Sequence, residues 1–465
     1  MRLWNYLRAK MMEHPSQTLR EGDTSITYEE LCIFAEARAA SVTGRYNAIL
    51  CRSELAAAMA LLSCLAADRT AVPLPERYGE QTFGKFLRRC PPDRLITDLR
   101  GRLEIFNTEH FYTDGESENP PAVILFTSGS TGSPKGVMLS GRALLSNVED
   151  ISSYFPVSAK DTVLISRPIY HSSVLTGEFL TALCAGARIV FSSEPFNPIG
   201  ILKTVKKQGI TVLGSTPTLL SLLSRFVRDE KELPIKLLSV SGECISAGTA
   251  RNIRRAFPHA RVVCGYGLTE AAPRVAYLPH GLFDKNPTAA GYPLPSVELR
   301  IANKKGETLP QGKTGELLVR GESLMDGYFD DPTLTQKTIR DGWLRTGDLA
   351  LIGEDGLLYV KGRRDDMIIR AGMNVYPAEI ENALSADERI RDVRAYGYDS
   401  DGTQEIGITV CGELSSIEEV MQICRSKLPA YQIPSRIEIS DELERLSGGK
   451  RKRYNPSHQR KGEFN

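Results

Sequence analysis

The stretch Thr127 to Gly136 reads TSGSTGSPKG and follows directly on the apolar run AVILF, from Ala122 to Phe126. Its ten residues include three glycines, five hydroxyl side chains and one lysine, Lys135. A strand that runs into such a loop presents many backbone N–H groups at its end, where they can surround an anion, and the lysine adds a positive charge. The stretch therefore predicts a phosphate-binding loop after a buried strand, with a flexible surface loop as the alternative.

The spacing of this loop differs from the P-loop pattern G-x-x-x-x-G-K-[ST]. Gly129 and Gly132 are too close together, and Lys135 is followed by Gly136 rather than by Ser or Thr. The loop is therefore of another type, and other segments must identify its ligand.

The composition is that of a globular protein with more than one domain. The chain has 465 residues, of which 41% are hydrophobic and 25% are charged, and a formal net charge of +1. This length predicts two or three domains, and the small net charge gives no reason to expect a nucleic-acid partner. The basic segment from Gly448 to Asn465 is interpreted as a solvated tail rather than a nucleic-acid arm.

The cysteines and the apolar segments indicate a cytoplasmic location. The nine cysteines are scattered without a C-x-x-C pair, which is typical of reduced, packed thiols. The amino-terminal sequence MRLWNYLRAK has no signal-peptide core. The longest apolar run, from Leu55 to Ala67, is too short for a membrane span and predicts a buried helix.

Strand-like and helical stretches alternate through most of the chain. This alternation predicts a large α/β N-terminal domain of layered sheets with helices, and short strands with turns from about Gly291 predict a β-rich subdomain. Pro377 opens a helix in a good first-turn position, and hairpin-like strands and a second helix follow. We therefore expect a large domain over residues 1–363 and a small α+β domain over residues 364–465.

Four further segments are informative: GYGLTE (Gly265 to Glu270), TGDLA (Thr346 to Ala350), GRRDDMIIRAGMNVYPAEIE (Gly362 to Glu381) and SGGKRKR (Ser447 to Arg453). Together with TSGSTGSPKG, in this order and at these separations, they resemble the adenylate-forming superfamily of acyl- and aryl-CoA ligases, adenylation enzymes and luciferases. The resemblance covers nearly the whole chain. It implies an acid–thiol ligase that uses ATP, Mg²⁺ and CoA, or the phosphopantetheine of a carrier protein in place of CoA.

The reaction of such enzymes explains the anion-binding residues. A carboxylate attacks the α-phosphate of ATP and pyrophosphate leaves, so positioning and charge neutralisation carry the catalysis. The resemblance implies that Thr269 contacts the α-phosphate and that Glu270 binds Mg²⁺, a hard cation that prefers carboxylates beside substrate phosphates. The implied catalytic residues are Lys135, His171, Thr269, Glu270 and Lys450. The implied phosphate loop comprises Thr127, Ser128, Gly129, Ser130, Thr131, Gly132 and Lys135.

The resemblance also assigns the nucleoside contacts. Tyr266 is implied to stack on adenine, Asp348 to accept hydrogen bonds from both ribose hydroxyls, and Arg363 to reach the ribose. Gly242, Glu243 and Gly267 complete the implied nucleotide-binding set.

Two residues of the small domain are implied to serve its movement and the second half-reaction. Asp365 lies at the position of the hinge between adenylate-forming and thioester-forming arrangements. Gly372 lies where the pantetheine arm passes, and a glycine permits that close approach. A mobile domain of this kind also protects the acyl-adenylate from water.

The lysine motif of the small domain departs from the family pattern P-x-T-x-S-G-K-I-x-R, because this chain reads ERLSGGKRKR from Glu444 to Arg453. Lys450 is the implied catalytic lysine, with Lys452 as the alternative. The family's Pro, Thr and Ser positions hold Glu444, Leu446 and Gly448. A second departure is Gly141, where many relatives carry histidine.

The sequence indicates the class of the carboxylic acid substrate, but not its identity. His171, in RPIYHSSVLTGEF, occupies a position where acyl- and aryl-CoA ligases often have a histidine or an aromatic residue, although a packed histidine is the alternative. No aspartate appears in this segment to hold a substrate ammonium, so an α-amino acid is disfavoured. The segments Ser215 to Pro217, Ser241 to Cys244 and AAPRV after Glu270 add mostly small, uncharged side chains to the expected pocket, which fits an aryl or short to medium acyl acid.

The acceptor stays open between CoA and a carrier protein. The segment around Gly372 is similar to that of aryl-CoA ligases, whereas Gln432 replaces a lysine common in CoA ligases. A luciferase-like oxygenase and a non-catalytic acyl-adenylate binder are the remaining alternatives.

Overall fold

The computed structural model describes residues 2–75, 80–99, 101–108, 120–128, 134–192, 197–229, 233–370, 373–400 and 403–443. Four residues of the phosphate loop, Gly129 to Gly132, lie outside the described residues, as do Gly372 and the segment around Lys450.

The described strands, in chain order, are β1 (Thr18–Glu21), β2 (Thr24–Thr27), β3 (Tyr46–Leu50), β4 (Thr70–Pro73), β5 (Arg94–Leu99), β6 (Arg102–Asn107), β7 (Val123–Ser128), β8 (Pro134–Leu139), β9 (Thr162–Ile165), β10 (Arg188–Phe191), β11 (Val212–Ser215), β12 (Leu237–Ser241), β13 (Arg261–Gly267), β14 (Arg274–Leu278), β15 (Tyr292–Pro293), β16 (Val297–Ala302), β17 (Gly315–Gly321), β18 (Gly327–Tyr328), β19 (Ile339–Arg340), β20 (Trp343–Ile352), β21 (Leu358–Arg363), β22 (Ile368–Arg370), β23 (Met373–Val375), β24 (Ile390–Ser400), β25 (Thr403–Gly412) and β26 (Arg436–Ile439).

The described α-helices are α1 (Leu3–Met12), α2 (Tyr28–Ala39), α3 (Glu54–Ala66), α4 (Glu80–Arg89), α5 (Gly141–Tyr154), α6 (Ser172–Val174), α7 (Thr181–Cys184), α8 (Pro198–Gln208), α9 (Pro217–Ser224), α10 (Ala247–Ala256), α11 (Pro332–Thr338), α12 (Pro377–Leu384) and α13 (Ile417–Lys427). A π-helix, Leu175–Leu180, joins α6 to α7, and 3-10 turns occur at Thr269–Ala271, His280–Leu282, Arg364–Asp366 and Ala430–Gln432.

The largest sheet of the described residues has nine strands in the order β15-β14-β13-β12-β11-β9-β10-β1-β2. Strands β13, β12, β11, β9, β10 and β1 are parallel to their neighbours in this series. All residues of β9, β11 and β12 are buried, as expected for parallel strands with both faces covered. Their carboxyl ends meet at one edge of the sheet, and the candidate site lies there.

The second large sheet carries the phosphate loop. Its seven described strands follow the order β18-β8-β7-β4-β3-β5-β6. Strands β7 and β8 are antiparallel, with Thr127 opposite Lys135 and Ser128 opposite Pro134. The loop therefore connects two hydrogen-bonded strands, whose register fixes its two ends. The long apolar run before β4 forms helix α3, which is largely buried, as predicted.

The β-rich region and the C-terminal region complete the fold. A sheet of antiparallel pairs is formed by strands β16, β17, β20, β19 and β21. The short strands and turns after Gly291 predicted such a β-rich region. A separate hydrophobic core, with all of its buried members between Ile368 and Leu428, lies under β24, β25, α12 and α13. A separate core is expected if the chain divides into two domains near residue 363. The exact boundary stays a prediction. No helix of the described residues is both long and apolar enough to cross a membrane.

Candidate active site

The two ends of the phosphate loop are positioned by the β7–β8 pair. Thr127 and Ser128 end β7, and Lys135 lies opposite Thr127 on β8. The Nζ atom of Lys135 lies 5.6 Å from the centre of the Tyr328 ring, a distance at which an ammonium is attracted to an aromatic face. Tyr328 belongs to β18, which pairs with β8 through Val137. The loop lysine is therefore held at the edge of the second sheet.

Glu270 lies in the 3-10 turn that follows β13, next to this lysine site. The hydroxyl of Tyr328 donates a hydrogen bond of 2.8 Å to Oε1 of Glu270. The backbone oxygen of Glu270 accepts a hydrogen bond from the amide of Met325, just before β18. Tyr328 therefore connects the residue implied to bind Mg²⁺ with the lysine implied to bind phosphate.

Thr269 is joined to the segment that contains His171. Its hydroxyl lies 3.1 Å from the hydroxyl of Ser172. The ring centre of His171 lies 4.5 Å from that of Tyr170, and the backbone oxygen of His171 accepts hydrogen bonds at the start of α6. His171 is thus one residue from a side chain that contacts Thr269, close to where the reacting carboxylate is expected.

Asp348, Arg363 and Tyr266 form one hydrogen-bonded cluster. Asp348 lies opposite Arg363 in the β20–β21 pair, and Nε of Arg363 lies 2.8 Å from its Oδ1. The hydroxyl of Tyr266 donates a hydrogen bond of 2.5 Å to Oδ2 of Asp348, and the amide of Asp348 donates to the Thr346 hydroxyl at 3.0 Å. The structure thus brings together the three residues implied to contact the nucleoside, although they come from distant parts of the chain.

The charges of the two clusters influence one another. Burial, followed by the negative charge of Asp348, raises the pKa of Tyr266 well above its usual range, so its phenol stays neutral. Burial, followed by the negative charge of Glu270, likewise raises the pKa of Tyr328 above its usual range. Although burial disfavours its charge, nearby Asp348, Tyr266 and Glu270 keep the pKa of Arg363 above the ordinary value. Arg363 therefore lies within electrostatic reach of both Asp348 and Glu270.

Gly242, Glu243 and Gly267 lie at the ends of β12 and β13. Gly242 has a left-handed backbone with φ of 94°, a conformation that favours glycine, and it leads the chain out of the sheet. One carboxylate oxygen of Glu243 accepts a hydrogen bond of 3.3 Å from the amide of Thr218, in the first turn of α9. Gly267 is the last residue of β13, directly before the turn that holds Thr269.

Asp365 lies in the 3-10 turn after β21, where its side chain is 79% exposed. The neighbouring Arg364 forms an ion pair with the buried Glu316, and Arg345 bonds the same carboxylate. The chain is therefore anchored to β17 one residue before the implied hinge.

The donor set suits a magnesium ion bound together with phosphates. Within the described ranges there is no group of three or more His, Cys, Asp or Glu side chains that could hold a metal. Mg²⁺ commonly takes one or two carboxylates, with waters and substrate phosphates as its other ligands. Glu270, next to the lysine of the phosphate loop, fits that requirement.

Two contacts of this site were not predicted from the sequence. Tyr328 and Ser172 approach Glu270 and Thr269 from positions 58 and 97 residues away in the chain. Tyr328 lies in no motif noted in the sequence, and Ser172, although it follows His171 in RPIYHSSVLTGEF, had no role assigned to it. The position of Tyr328 follows only from the pairing of β18 with β8.

Known proteins resemble this chain in sequence and in structure. The family model described as AMP-binding enzyme matches residues 7–329. A feruloyl-CoA synthase of an Amycolatopsis species is 29% identical over 486 residues, which cover 96% of each chain. A long-chain-fatty-acid–CoA ligase of Salmonella typhimurium is 31% identical over 382 residues, which cover 79% of this chain and 67% of the ligase. The crystal structure of ATP-bound MatB from Rhodopseudomonas palustris superposes with a TM-score of 0.86 at 25% identity and covers 97% of each chain.

This chain belongs to the family of AMP-binding enzymes. The predictions of an adenylate-forming, ATP-using acid–thiol ligase with a large α/β N-terminal domain are confirmed. The roles assigned to individual residues stay predictions.

Proposed function

We propose that this protein joins a carboxylic acid to the thiol of CoA in two steps at the site described above. In the first step, a carboxylate oxygen attacks the α-phosphorus of ATP, the bond to the β-phosphate oxygen breaks, and pyrophosphate leaves with the bonding electrons. In the second, the thiolate sulfur of CoA attacks the acyl carbon, and AMP leaves with the electrons of the cleaved C–O bond. The observation that supports this most is the convergence of Lys135, Glu270, Arg363 and Asp348 through Tyr328 and Tyr266.

The nucleoside would be held by the Asp348 cluster. Asp348 is 5% exposed and already bonded to Arg363 and Tyr266, so its carboxylate is fixed before the ribose arrives. Fixed acceptors lose little conformational entropy on binding. The hydroxyl of Tyr266 donates a hydrogen bond to this carboxylate. This bond fixes the orientation of the ring on which adenine would stack.

The phosphates would lie between the β7–β8 loop and Glu270. Lys135 offers an ammonium, Thr269 a hydroxyl and Glu270 a carboxylate for Mg²⁺. When bound, Mg²⁺ supplies charge neutralisation for the leaving pyrophosphate. Charge that is neutralised by fixed groups is the main source of rate enhancement in phosphoryl-group chemistry of this type.

The small domain would supply Lys450 to the first step and the glycine at Gly372 to the second. We assign residues 1–363 to the large domain and 364–465 to the mobile one, with Asp365 as the hinge. The separate core between Ile368 and Leu428 supports a unit that moves as a whole.

CoA is favoured over a carrier protein as the acceptor. Gln432 replaces a lysine common in CoA ligases and on that ground favours a carrier protein. Its side chain, however, is buried, because the residue is 5% exposed. Its Nε2 donates a hydrogen bond of 3.3 Å to Glu379 on α12. A residue that is used in packing gives little information about a docking partner. A cytoplasmic location is proposed with this function, because none of the nine cysteines, all within the described ranges, forms a disulfide, as is typical of proteins in a reducing compartment.

Pyrophosphate release tests this function directly. The protein is mixed with ATP, Mg²⁺ and a panel of aryl and fatty acids, with and without CoA, and products are identified by mass spectrometry. An acyl-CoA that appears with one acid supports the proposal. Acyl-adenylate that accumulates while CoA stays free would indicate a carrier protein, and ATP binding without any turnover would indicate a non-catalytic binder.

Lys450→Ala separates catalysis from binding, with Lys452→Ala as the matched control. The first variant should slow adenylate formation far more than it weakens ATP binding, and the second should not. Equal rates in Lys450→Ala and the unmodified protein would remove Lys450 from the mechanism.

A further inference from the structure

Three charged side chains are buried behind the site, and the proposed reaction does not use them. Arg167, Glu178 and Arg274 are 6%, 2% and 3% exposed. Together they form what we call the charged layer, above the carboxyl ends of β9, β11 and β13. Buried charges are costly unless each is compensated, so a layer of three requires an explanation.

Glycines on the sheet and on the π-helix leave the space that this layer occupies. A Cβ on Gly214 of β11 would overlap the carboxyl group of Glu178. On Gly265 of β13 a Cβ would lie 3.0 Å from Nε of Arg274, and on Gly177 it would lie 2.9 Å from Nη2 of Arg274. In the register of the sheet, Gly214 lies opposite Ser239 and Gly265 opposite Ser241 on β12. These residues alternate with the apolar ones, so the layer lies on one face of the sheet.

The charges within the layer do not balance. Arg167 forms an ion pair with Glu178. Among the described residues Arg274 forms no ion pair. The neighbouring phenol of Tyr154 carries no charge to compensate it, because burial raises the pKa of Tyr154 to about 12. Two positive charges and one negative charge give these three side chains a net charge of +1. The buried carboxylate of Asp150 also acts on Tyr154, but it is bonded to Ser296 and not to Arg274. Within the described residues, Oε2 of Glu178 and the Ser241 hydroxyl are buried without a hydrogen-bond partner.

Arg274 is held at a fixed position near the reacting groups. The fully buried Asn147 side chain bonds both main-chain groups of Arg274, donating to its oxygen at 2.9 Å and accepting from its amide at 3.1 Å. Arg274 lies opposite Gly267, two residues before Thr269, in the β13–β14 pair, and there is no room for a Cβ on Gly177 beside its guanidinium. Gly177 and Glu178 belong to the π-helix Leu175–Leu180, a form of helix that is frequent at functional sites.

We propose that Arg274 binds a second anionic group of the acid, so that the substrate is a dicarboxylic acid. One carboxylate reacts beside Thr269, and the other lies against the Arg274 guanidinium, where it supplies the missing negative charge. An arginine fork matches a carboxylate in two parallel hydrogen bonds. This inference rests on the proposed function and departs from the expectation of a mostly uncharged acid pocket.

Matched pairs of acids test this inference. Initial rates of pyrophosphate release are measured for linear monocarboxylic acids and for the α,ω-dicarboxylic acids of the same chain length, from four to ten carbons, and for benzoate against benzene-1,4-dicarboxylate. For at least one pair, kcat/KM should favour the diacid by about 30-fold or more, the usual effect of a buried charge pair. Equal or higher kcat/KM for the monoacid in every pair would overturn the inference and leave the ligase function intact. Adenylate formation from none of these acids would count against both.

Variants of Arg274 connect the preference to this side chain. Arg274→Met removes the charge at similar length and should abolish the diacid preference or reverse it. Arg274→Lys keeps the charge and should retain part of the preference, so a folding defect in the first variant does not decide the result. Arg45→Met, at another buried arginine that packs on Tyr46, is the control and should leave the preference unchanged. A diacid preference that survives Arg274→Met would assign Arg274 a purely structural role.

Discussion

Tyr328 links the two charges that are expected to meet the triphosphate: its hydroxyl donates a hydrogen bond of 2.8 Å to Glu270, and Lys135 lies 5.6 Å from the centre of its ring. The hydroxyl occupies Oε1 of the carboxylate and leaves Oε2 for a metal. Tyr328 therefore orients the metal ligand without competing for both of its oxygens.

Tyr328→Phe should raise the Mg²⁺ concentration for half-maximal activity by about tenfold. The variant keeps the ring beneath Lys135 and removes a hydrogen bond to a charged group, which is worth roughly 1.5 kcal/mol or more. The measurement is pyrophosphate release against Mg²⁺ concentration. Tyr359→Phe, which removes a comparable 2.8 Å bond to Asp355 outside the site, is the control. An unchanged Mg²⁺ requirement in Tyr328→Phe would show that Glu270 does not depend on this bond.

Asp348→Asn should remove discrimination between ATP and its deoxy analogues. The carboxylate is the implied acceptor for both ribose hydroxyls, and it is held by Arg363 and Tyr266. We expect the KM for ATP to rise by about tenfold or more, because hydrogen bonds to charged groups are the stronger ones. The ratio of kcat/KM for ATP to that for 2′-deoxy-ATP and 3′-deoxy-ATP should move toward one. A ratio equal to that of the unmodified protein would place the ribose elsewhere.

Gly248→Val should separate the C-terminal region from α10. Gly248 is the second residue of α10, and a Cβ there would overlap the backbone oxygen of Ser385. The ion pair of Lys361, on β21, with Glu379, on α12, at 3.2 Å, also joins the C-terminal region to the rest of the chain, but it is partly exposed and adds little on its own. The radius of gyration from small-angle X-ray scattering should therefore increase. Gly281→Val, where a Cβ meets nothing within 4 Å, is the control, and equal radii in both variants would contradict the expectation.

Local patterns predicted some of the strands of this fold, but not the contacts of its site. Runs such as TVLI in β9 indicate a strand, because a parallel strand needs apolar residues on both faces and four adjacent residues reveal this. The hydrogen bond between Tyr328 and Glu270 depends on β18 pairing with β8, which lies about 190 residues earlier in the chain. No local pattern carries that information.

The burial of the charged layer could not be predicted from the sequence either. Arg274 is visible in the sequence as one charge in the segment AAPRV, which gives no sign that it is buried. Its burial follows from Asn147 on α5 and from glycines on β13 and the π-helix. A single sequence shows the charge, whereas only the packed structure shows that Glu178 is already paired with Arg167.

MgATP should protect Cys244 from alkylation. Cys244 is exposed, whereas the other eight cysteines are buried or half-buried, and burial raises the pKa of Cys32 to about 11. Because the thiolate is the nucleophile, iodoacetamide at pH 8 should label Cys244 first. Residue 244 follows Gly242 and Glu243 of the implied nucleotide site, so the rate of labelling, read by peptide mass spectrometry, should fall with MgATP. Equal rates with and without nucleotide would show that ATP does not cover this turn.

The free energy of unfolding should decrease as the pH rises from 9 to 12. Burial raises the pKa of Cys264 from its ordinary 9.0 to about 12, so the folded protein keeps a proton that the unfolded chain releases above pH 9. This contribution to stability is complete below pH 9 and is lost by pH 12, at a rate of at most about 1.4 kcal/mol per pH unit. Urea unfolding at pH 8, 9, 10 and 11 measures the slope, which should be shallower in Cys264→Ala. The neighbouring buried Val263, when changed to Ala, removes no titrating group and should lower stability without altering the slope. Parallel slopes for Cys264→Ala and the unmodified protein would show that the Cys264 thiol does not contribute to the alkaline loss of stability.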